Sequence, residues 1–141
     1  MHDRTNVREL TAEQVAPAPS LVVADLSFIS LRLVLPALVR SAAPDADLLL
    51  MVKPQFEVGR ERLGSGGVVR DPALRAAAVR DVVAAASGLG LRLMACAASP
   101  LPGPSGNVEY FVHLRGGEPL PADEVEQLVA TAVAEGPGGT P

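Results

Sequence analysis

Three ionisable side chains stand at the ends of apolar segments of strand length. Asp25 and Lys53 each come directly after such a segment, and Glu109 stands near the start of a later one. A lysine can serve as a base because an ammonium can lose its proton, whereas a guanidinium cannot. Two carboxylates beside it can tune and orient it. An acid, lysine and acid cluster therefore predicts a proton-transfer site.

The lysine stands out within the composition of the chain. Of the 12 basic residues, 11 are arginine and only Lys53 is lysine. Each of the three residues also has an ordinary interpretation. Asp25 could cap a helix, Glu109 could be exposed at a strand edge or pair with an arginine, and Lys53 before Pro54 could be a simple strand exit. Their joint placement is the stronger indication.

The elements that position these residues follow from hydrophobic periodicity. Continuous apolar runs predict strands that are covered on both faces, and amphipathic spacing predicts helices. Asp71 and Pro72 are typical of a helix start, and Gly88 of a helix end. The predicted strands are 20–24, 48–52, 91–97 and 108–114, the helices are 11–16, 28–42, 72–87 and 122–135, and the main loops are 55–69 and 98–107.

This order of elements predicts an α/β three-layer domain. Strands joined by helices are expected to be parallel, and the fourth strand antiparallel, since only an irregular loop separates it from the third. Ligands of such sheets bind at the carboxyl ends of the parallel strands. The topology therefore brings Asp25, Lys53 and Glu109 to one edge, with Ser99 nearby.

Composition excludes several other classes of protein. The 141 residues and 14.5 kDa predict one domain, and the single cysteine, Cys96, excludes a disulfide within the chain and fits a reducing compartment. The net charge is −4, so no strongly basic surface is expected; the arginines at 60–80 form either a weak phosphate-facing surface or a solvated face. We find no metal-ligand spacing, no glycine-rich phosphate fingerprint and no apolar run long enough to span a bilayer.

Five segments together resemble a known family. Residues 6–8, 25–31, 52–57, 66–72 and 99–109 are similar, in order, to motifs of the TlyA family of FtsJ-like ribosomal RNA 2′-O-methyltransferases, whose members are often labelled hemolysins. The resemblance covers residues from about 4 to about 115. It implies a Rossmann-like methyltransferase sandwich, S-adenosyl-L-methionine as the methyl donor, and a ribose 2′-hydroxyl, commonly of cytidine, in small- or large-subunit ribosomal RNA as the acceptor.

The resemblance also implies roles for particular residues. Asp25, Lys53 and Glu109 match three members of the family's catalytic Lys-Asp-Lys-Glu tetrad. Lys53 would take the proton from the 2′-hydroxyl, Asp25 would lie near the methyl donor, and Glu109 would help to hold the lysine. Asn6 and Phe28 would border the cofactor pocket. Ribosomal RNA or a ribosomal subunit is the implied partner, without a membrane, and the implied location is the cytoplasm.

Other family features have no counterpart in the sequence. These are the first tetrad lysine, the glycine-rich loop, the acidic residue that holds the cofactor ribose, and an RNA-binding domain that precedes the catalytic one. We therefore expect residues 1–135 to form a partial methyltransferase domain, truncated on its N-terminal side, and 136–141 a disordered tail. Strand 20–24 would then be an apolar sheet edge on which a dimer could form. A non-catalytic remnant that associates with RNA is the alternative, and a membrane-active hemolysin ranks last.

Overall fold

A computed structural model of the chain describes residues 20–25, 30–58, 68–101 and 106–136. They form four strands and four helices. In chain order these are β1 (Leu21–Ala24), α1 (Leu31–Ser41), β2 (Asp47–Val52), α2 (Pro54–Glu57), α3 (Pro72–Ser87), β3 (Leu91–Ala98), β4 (Tyr110–Gly116) and α4 (Ala122–Glu135).

The four strands form one sheet in the order β1-β2-β4-β3. β1 and β2 are parallel, and β4 is antiparallel to both of its neighbours, β2 and β3. Three strands thus run in one direction and the last in the other, which confirms the predicted strand directions. Because β4 inserts between β2 and β3, its apolar side chains occupy the centre of the sheet, where Tyr110, Val112 and Leu114 are buried.

The described helices lie in one layer on one face of the sheet. α3 packs between α1 and α4 and also contacts β2 and β3. Leu48, Leu50 and Val52 of β2 are buried against this layer. The alternate residue Leu49 is 37% exposed, although the unbroken apolar run predicted a strand covered on both faces. In the described part of the chain, the second sheet face is therefore only partly covered.

The helix termini explain where the helices begin and end. Asp71 caps α3 as expected, because its side chain accepts a hydrogen bond from the backbone N–H of Ala73 at 2.9 Å, and Pro72 follows at the first helical position. α1 continues through Pro36 to Ser41, so the proline does not shorten this helix.

Two differences from the predicted elements bear on the site. The segment 55–69, predicted to be a loop, begins with the short helix α2, which Pro54 initiates directly after Lys53. The helix predicted to begin at residue 28 is observed from Leu31, with Ser30 as its N-cap. The predicted helix 11–16 and residues 137–141 of the predicted tail lie outside the described residues.

Candidate active site

The sheet register brings the three predicted site residues together. Val52 pairs with Tyr110. Lys53, which directly follows β2, therefore lies beside Glu109, which directly precedes β4. Asp25 directly follows β1, the parallel neighbour of β2. The carboxyl ends of β1 and β2 and the start of β4 share one edge of the sheet, as the topology predicted.

The side chains form a compact charged cluster. Nζ of Lys53 lies 2.5 Å from Oδ1 of Asp25 and 4.0 Å from Oε2 of Glu109. The side chains of Lys53 and Glu109 are only 8% and 10% exposed, whereas that of Asp25 is 59% exposed. The cluster thus has a buried amine, a buried carboxylate behind it, and a carboxylate that opens to solvent.

This geometry decides between the interpretations that the sequence left open. Asp25 does not cap α1, because Ser30 holds that position. Glu109 is buried, so it is not an exposed edge residue, and among the described residues its ion pair is with Lys53. Lys53 is not a simple strand exit, since its amine is enclosed and paired.

Several buried polar atoms of the site region have unused hydrogen-bonding capacity. Within the described residues, Oε2 of Glu109 and both amide atoms of Gln55 are buried without a hydrogen-bond partner. A buried polar group without a partner costs about 1–3 kcal/mol. At 4.0 Å the Lys53 amine is too far from Oε2 of Glu109 for a hydrogen bond, so this oxygen retains the capacity to accept one from another donor.

The backbone around Glu109 is held from two sides. Its carbonyl oxygen accepts a hydrogen bond of 2.8 Å from the N–H of Ser99, the residue that directly follows β3. Asn107, two residues before Glu109, accepts one of 2.9 Å from the N–H of Val69, whose carbonyl accepts one of 3.0 Å from Nε of Arg75. The buried residues Asn107 and Arg75 thus fix the chain that enters β4.

Tyr110, the residue after Glu109, is a further buried side chain of this region. Burial raises the pKa of its hydroxyl, and the nearby charge of Arg75 opposes that shift. Tyr110 is fully buried, so it remains a neutral, packed side chain at physiological pH.

The sequence did not indicate one further buried group next to the cluster. Glu57, at the end of α2, accepts hydrogen bonds from residues at the start of α1. Its partners lie 26 and 27 residues away along the chain, so no local pattern identifies it. A signal for the partner existed, since Ser30 precedes the amphipathic segment in the manner of an N-cap.

The two other predicted cofactor-binding residues, Asn6 and Phe28, lie outside the described residues, so their roles stay predictions. Within the described ranges, no group of three or more histidine, cysteine or acidic residues has the arrangement of a metal site. Nor does any helix among those ranges have the length and apolar character needed to cross a bilayer.

The sequence matches a known family over most of its length. Residues 1–116 correspond to the FtsJ-like methyltransferase domain. The chain belongs to the FtsJ-like methyltransferase family. The resemblance of its motifs to this group is thereby confirmed, and the charged cluster is that of an FtsJ-like methyltransferase chain.

Two curated relatives of this FtsJ-like chain are named as rRNA methyltransferases. It is 55% identical over 137 residues to the 16S/23S rRNA (cytidine-2′-O)-methyltransferase TlyA of Mycobacterium tuberculosis, a match that covers 96% of the chain and 51% of that protein. It is 37% identical to the rRNA methyltransferase YqxC of Bacillus subtilis, covering 92% and 49%. The chain therefore spans about half the length of the curated relatives that it matches.

Solved structures of two proteins described as hemolysins share the fold of the FtsJ-like chain. The Streptococcus thermophilus protein superposes with a TM-score of 0.81 at 32% identity, covering 91% of this chain and 48% of that one. The Lactococcus lactis protein gives 0.80 at 33% identity, covering 90% and 62%. The α/β fold and the antiparallel final strand agree with this relationship.

Proposed function

We propose that the chain supports methyl transfer from S-adenosylmethionine to a ribose 2′-hydroxyl of ribosomal RNA, with cytidine as the target nucleoside. The observation that carries the proposal is the enclosed Lys53 amine between two carboxylates at the ligand edge of an FtsJ-like sheet. The names of the relatives suggest the substrate. A ribosomal substrate would place the reaction in the cytoplasm.

The described residues fit such a cofactor and acceptor. When bound, S-adenosylmethionine supplies a methyl group on a positively charged sulfonium. The solvent-open carboxylate of Asp25 offers the negative charge that favours a cation nearby. The Lys53 amine beside Asp25 suits a hydroxyl acceptor, which a ribose provides. Asn6 and Phe28 are the residues that we expect to border the cofactor.

Each residue of the cluster has a distinct part in the proposed reaction. Nζ of Lys53, in its neutral form, would take the proton from the ribose 2′-hydroxyl and so activate that oxygen as a nucleophile. Bound S-adenosylmethionine would supply the methyl group and leave as the neutral thioether S-adenosylhomocysteine. Asp25 fixes the direction of the amine through its short contact. Glu109 supports the amine from the buried side. Because the reaction is an in-line displacement, alignment of the attacking oxygen contributes much of the rate.

The test uses a chimera, because the chain spans only about half the length of its curated relatives. The chain is joined to the remaining half of M. tuberculosis TlyA, and transfer of a labelled methyl group to ribosomal RNA is measured, with nuclease mapping of the modified nucleoside. We expect 2′-O-methylcytidine. A folded chimera that binds S-adenosylmethionine but methylates no ribose would contradict the proposal, and an unfused TlyA half measured alone is the control.

A second candidate function is association with RNA without catalysis. Mixing the chain with the remaining TlyA half separates the two functions. Restored methyl transfer supports catalysis, and RNA binding without transfer supports the alternative.

We also propose that β1 is a site of self-association. Among the described strands it is the outermost one on its side of the sheet, and its residues Leu21 and Val23 are 59% and 65% exposed. An exposed apolar edge strand is a template for pairing with another strand. Sedimentation of the wild type and of Val23→Lys tests this proposal, which predicts a dimer that the charged variant loses. A monomeric wild type would contradict it.

A further inference from the structure

We propose that Glu57 is a positioning residue that restrains the position of Lys53 relative to Asp25. For its catalytic consequence this rests on the proposed function, but the structural claim is independent of it. The side chain of Glu57 is 1% exposed. Burying a carboxylate is unfavourable unless it is paired and hydrogen-bonded, so its surroundings must compensate it.

Within the described part of the chain, the hydrogen bonds to Glu57 come from the first residues of α1 and their cap. Glu57 accepts hydrogen bonds from Oγ of Ser30 at 2.5 Å, from the backbone N–H of Leu31 at 2.8 Å and from Nε of Arg32 at 3.3 Å. A terminal nitrogen of Arg32 also donates to the carbonyl oxygen of Glu57 at 3.1 Å. We call these four bonds, together with the residues that make them, the Glu57 clamp.

The clamp joins the two segments that carry the paired site residues. α2 begins directly after Lys53 and ends at Glu57. Ser30, on the other side of the clamp, stands five residues after Asp25 in the sequence. The clamp therefore limits how far the chain after β2 can move relative to the chain after β1, and the Lys53–Asp25 contact bridges these same two segments.

The Lys53–Asp25 ion pair needs such support. Lys53 is only 8% exposed, but Asp25 is 59% exposed, and an ion pair that is open to solvent contributes only about 0–1 kcal/mol, because solvent screens the charge. The pair with Asp25 therefore contributes little to the fixed direction of the amine that a displacement reaction requires. The clamp contributes more, since its bonds are charge-assisted and end on Glu57, whose side chain is 1% exposed.

The chain offers a direct readout, because Lys53 is its only lysine. Growth on ¹³C-labelled lysine gives the 141-residue protein a single Cε methylene signal, which needs neither cofactor nor RNA. In the wild type we expect two separate Hε resonances and a high Cε order parameter, since a held methylene has two unlike protons. In Glu57→Gln we expect the two resonances to merge and the order parameter to fall.

Two further variants separate positioning from general destabilisation. Glu126→Gln breaks another Arg–Glu pair, that of Arg80 and Glu126 at 2.7 Å between α3 and α4, and should leave the Lys53 signal unchanged. Arg32→Met removes the two hydrogen bonds that Arg32 donates to Glu57. Because the Arg32 side chain is part-exposed, this variant should lower the Lys53 order parameter by less than Glu57→Gln does. The amide spectrum of each variant reports whether it is folded.

A folded Glu57→Gln protein with an unchanged Lys53 signal would overturn the proposal, as would a wild type in which Lys53 is already mobile. If Glu57→Gln does not fold, Arg32→Met decides by the same criterion. Absence of methyl transfer in the chimera would refute the proposed function alone, because the lysine signal does not depend on it.

Discussion

Replacing Lys53 with methionine removes the only positive charge of the site cluster while nearly keeping the length of the side chain. The variant leaves two carboxylates without their shared partner. Asp25 is mostly exposed and can be hydrated, but Glu109 is 10% exposed. Lys53→Met should therefore destabilise the fold mainly through Glu109.

The size of the effect follows from these exposures. Loss of the pair with the solvent-open Asp25 removes about 0–1 kcal/mol. Removing one partner of a buried ion pair costs about 3–5 kcal/mol, and the 4.0 Å separation of Lys53 and Glu109 favours the lower end of that range. We expect the free energy of unfolding to fall by about 3 kcal/mol.

Urea unfolding followed by circular dichroism measures this change on the 141-residue chain. Arg80→Met is the matched control, because it removes a cation from an exposed pair with Glu126 and should cost below about 1 kcal/mol. The double variant Lys53→Met/Glu109→Gln should recover about half of the loss, since the remaining buried group is neutral.

A Lys53→Met variant whose free energy of unfolding lies within about 0.5 kcal/mol of the wild-type value, the usual range of surface substitutions, would contradict this prediction. A double variant in which Glu109→Gln gives no recovery would contradict it as well. Either result would mean that Glu109 is not held as a buried charge by Lys53.

Three further predictions concern groups outside the cluster. The hydrogen bond from His113, together with the charge of Arg115, lowers the pKa of Asp47 below its ordinary 3.8. Asp47 therefore stabilises the fold above that pH, and this stabilisation is lost as the pH falls through the lowered pKa. The urea midpoints of the wild type and Asp47→Asn should converge over this acid range. Burial raises the pKa of the Cys96 thiol to about 11, so alkylation at pH about 8 should be far slower than that of an exposed cysteine, whose pKa is about 8.5, as mass spectrometry can show. Asp71→Ala removes the cap of α3 and should lower the free energy of unfolding by about 1 kcal/mol in urea titration.

The sequence was sufficient to place the charged cluster, for a definite physical reason. Residues that directly follow parallel strands share one edge of the sheet, and an antiparallel strand begins at that same edge. Asp25, Lys53 and Glu109 could therefore be grouped once the strand directions were known. The Asp71 cap was also predictable, because capping depends on residues adjacent in the chain.

Other features depend on contacts that local patterns do not contain. The insertion of β4 between β2 and β3 is a choice among possible sheet orders. The partners of Glu57 are distant in sequence, and the partial exposure of Leu49 depends on what covers the second sheet face. A continuous apolar run does not indicate whether the second sheet face is covered, since it shows only which side chains are able to be buried.

In the proposed reaction, Lys53 takes the proton from the ribose hydroxyl. The most direct test is methyl transfer to ribosomal RNA by the chimera with Lys53→Arg, which keeps the positive charge but cannot give up its proton. The rate should fall about 10²- to 10⁴-fold, the usual contribution of a general base, while Arg80→Lys leaves it unchanged. Transfer by Lys53→Arg at close to the wild-type rate would contradict the account.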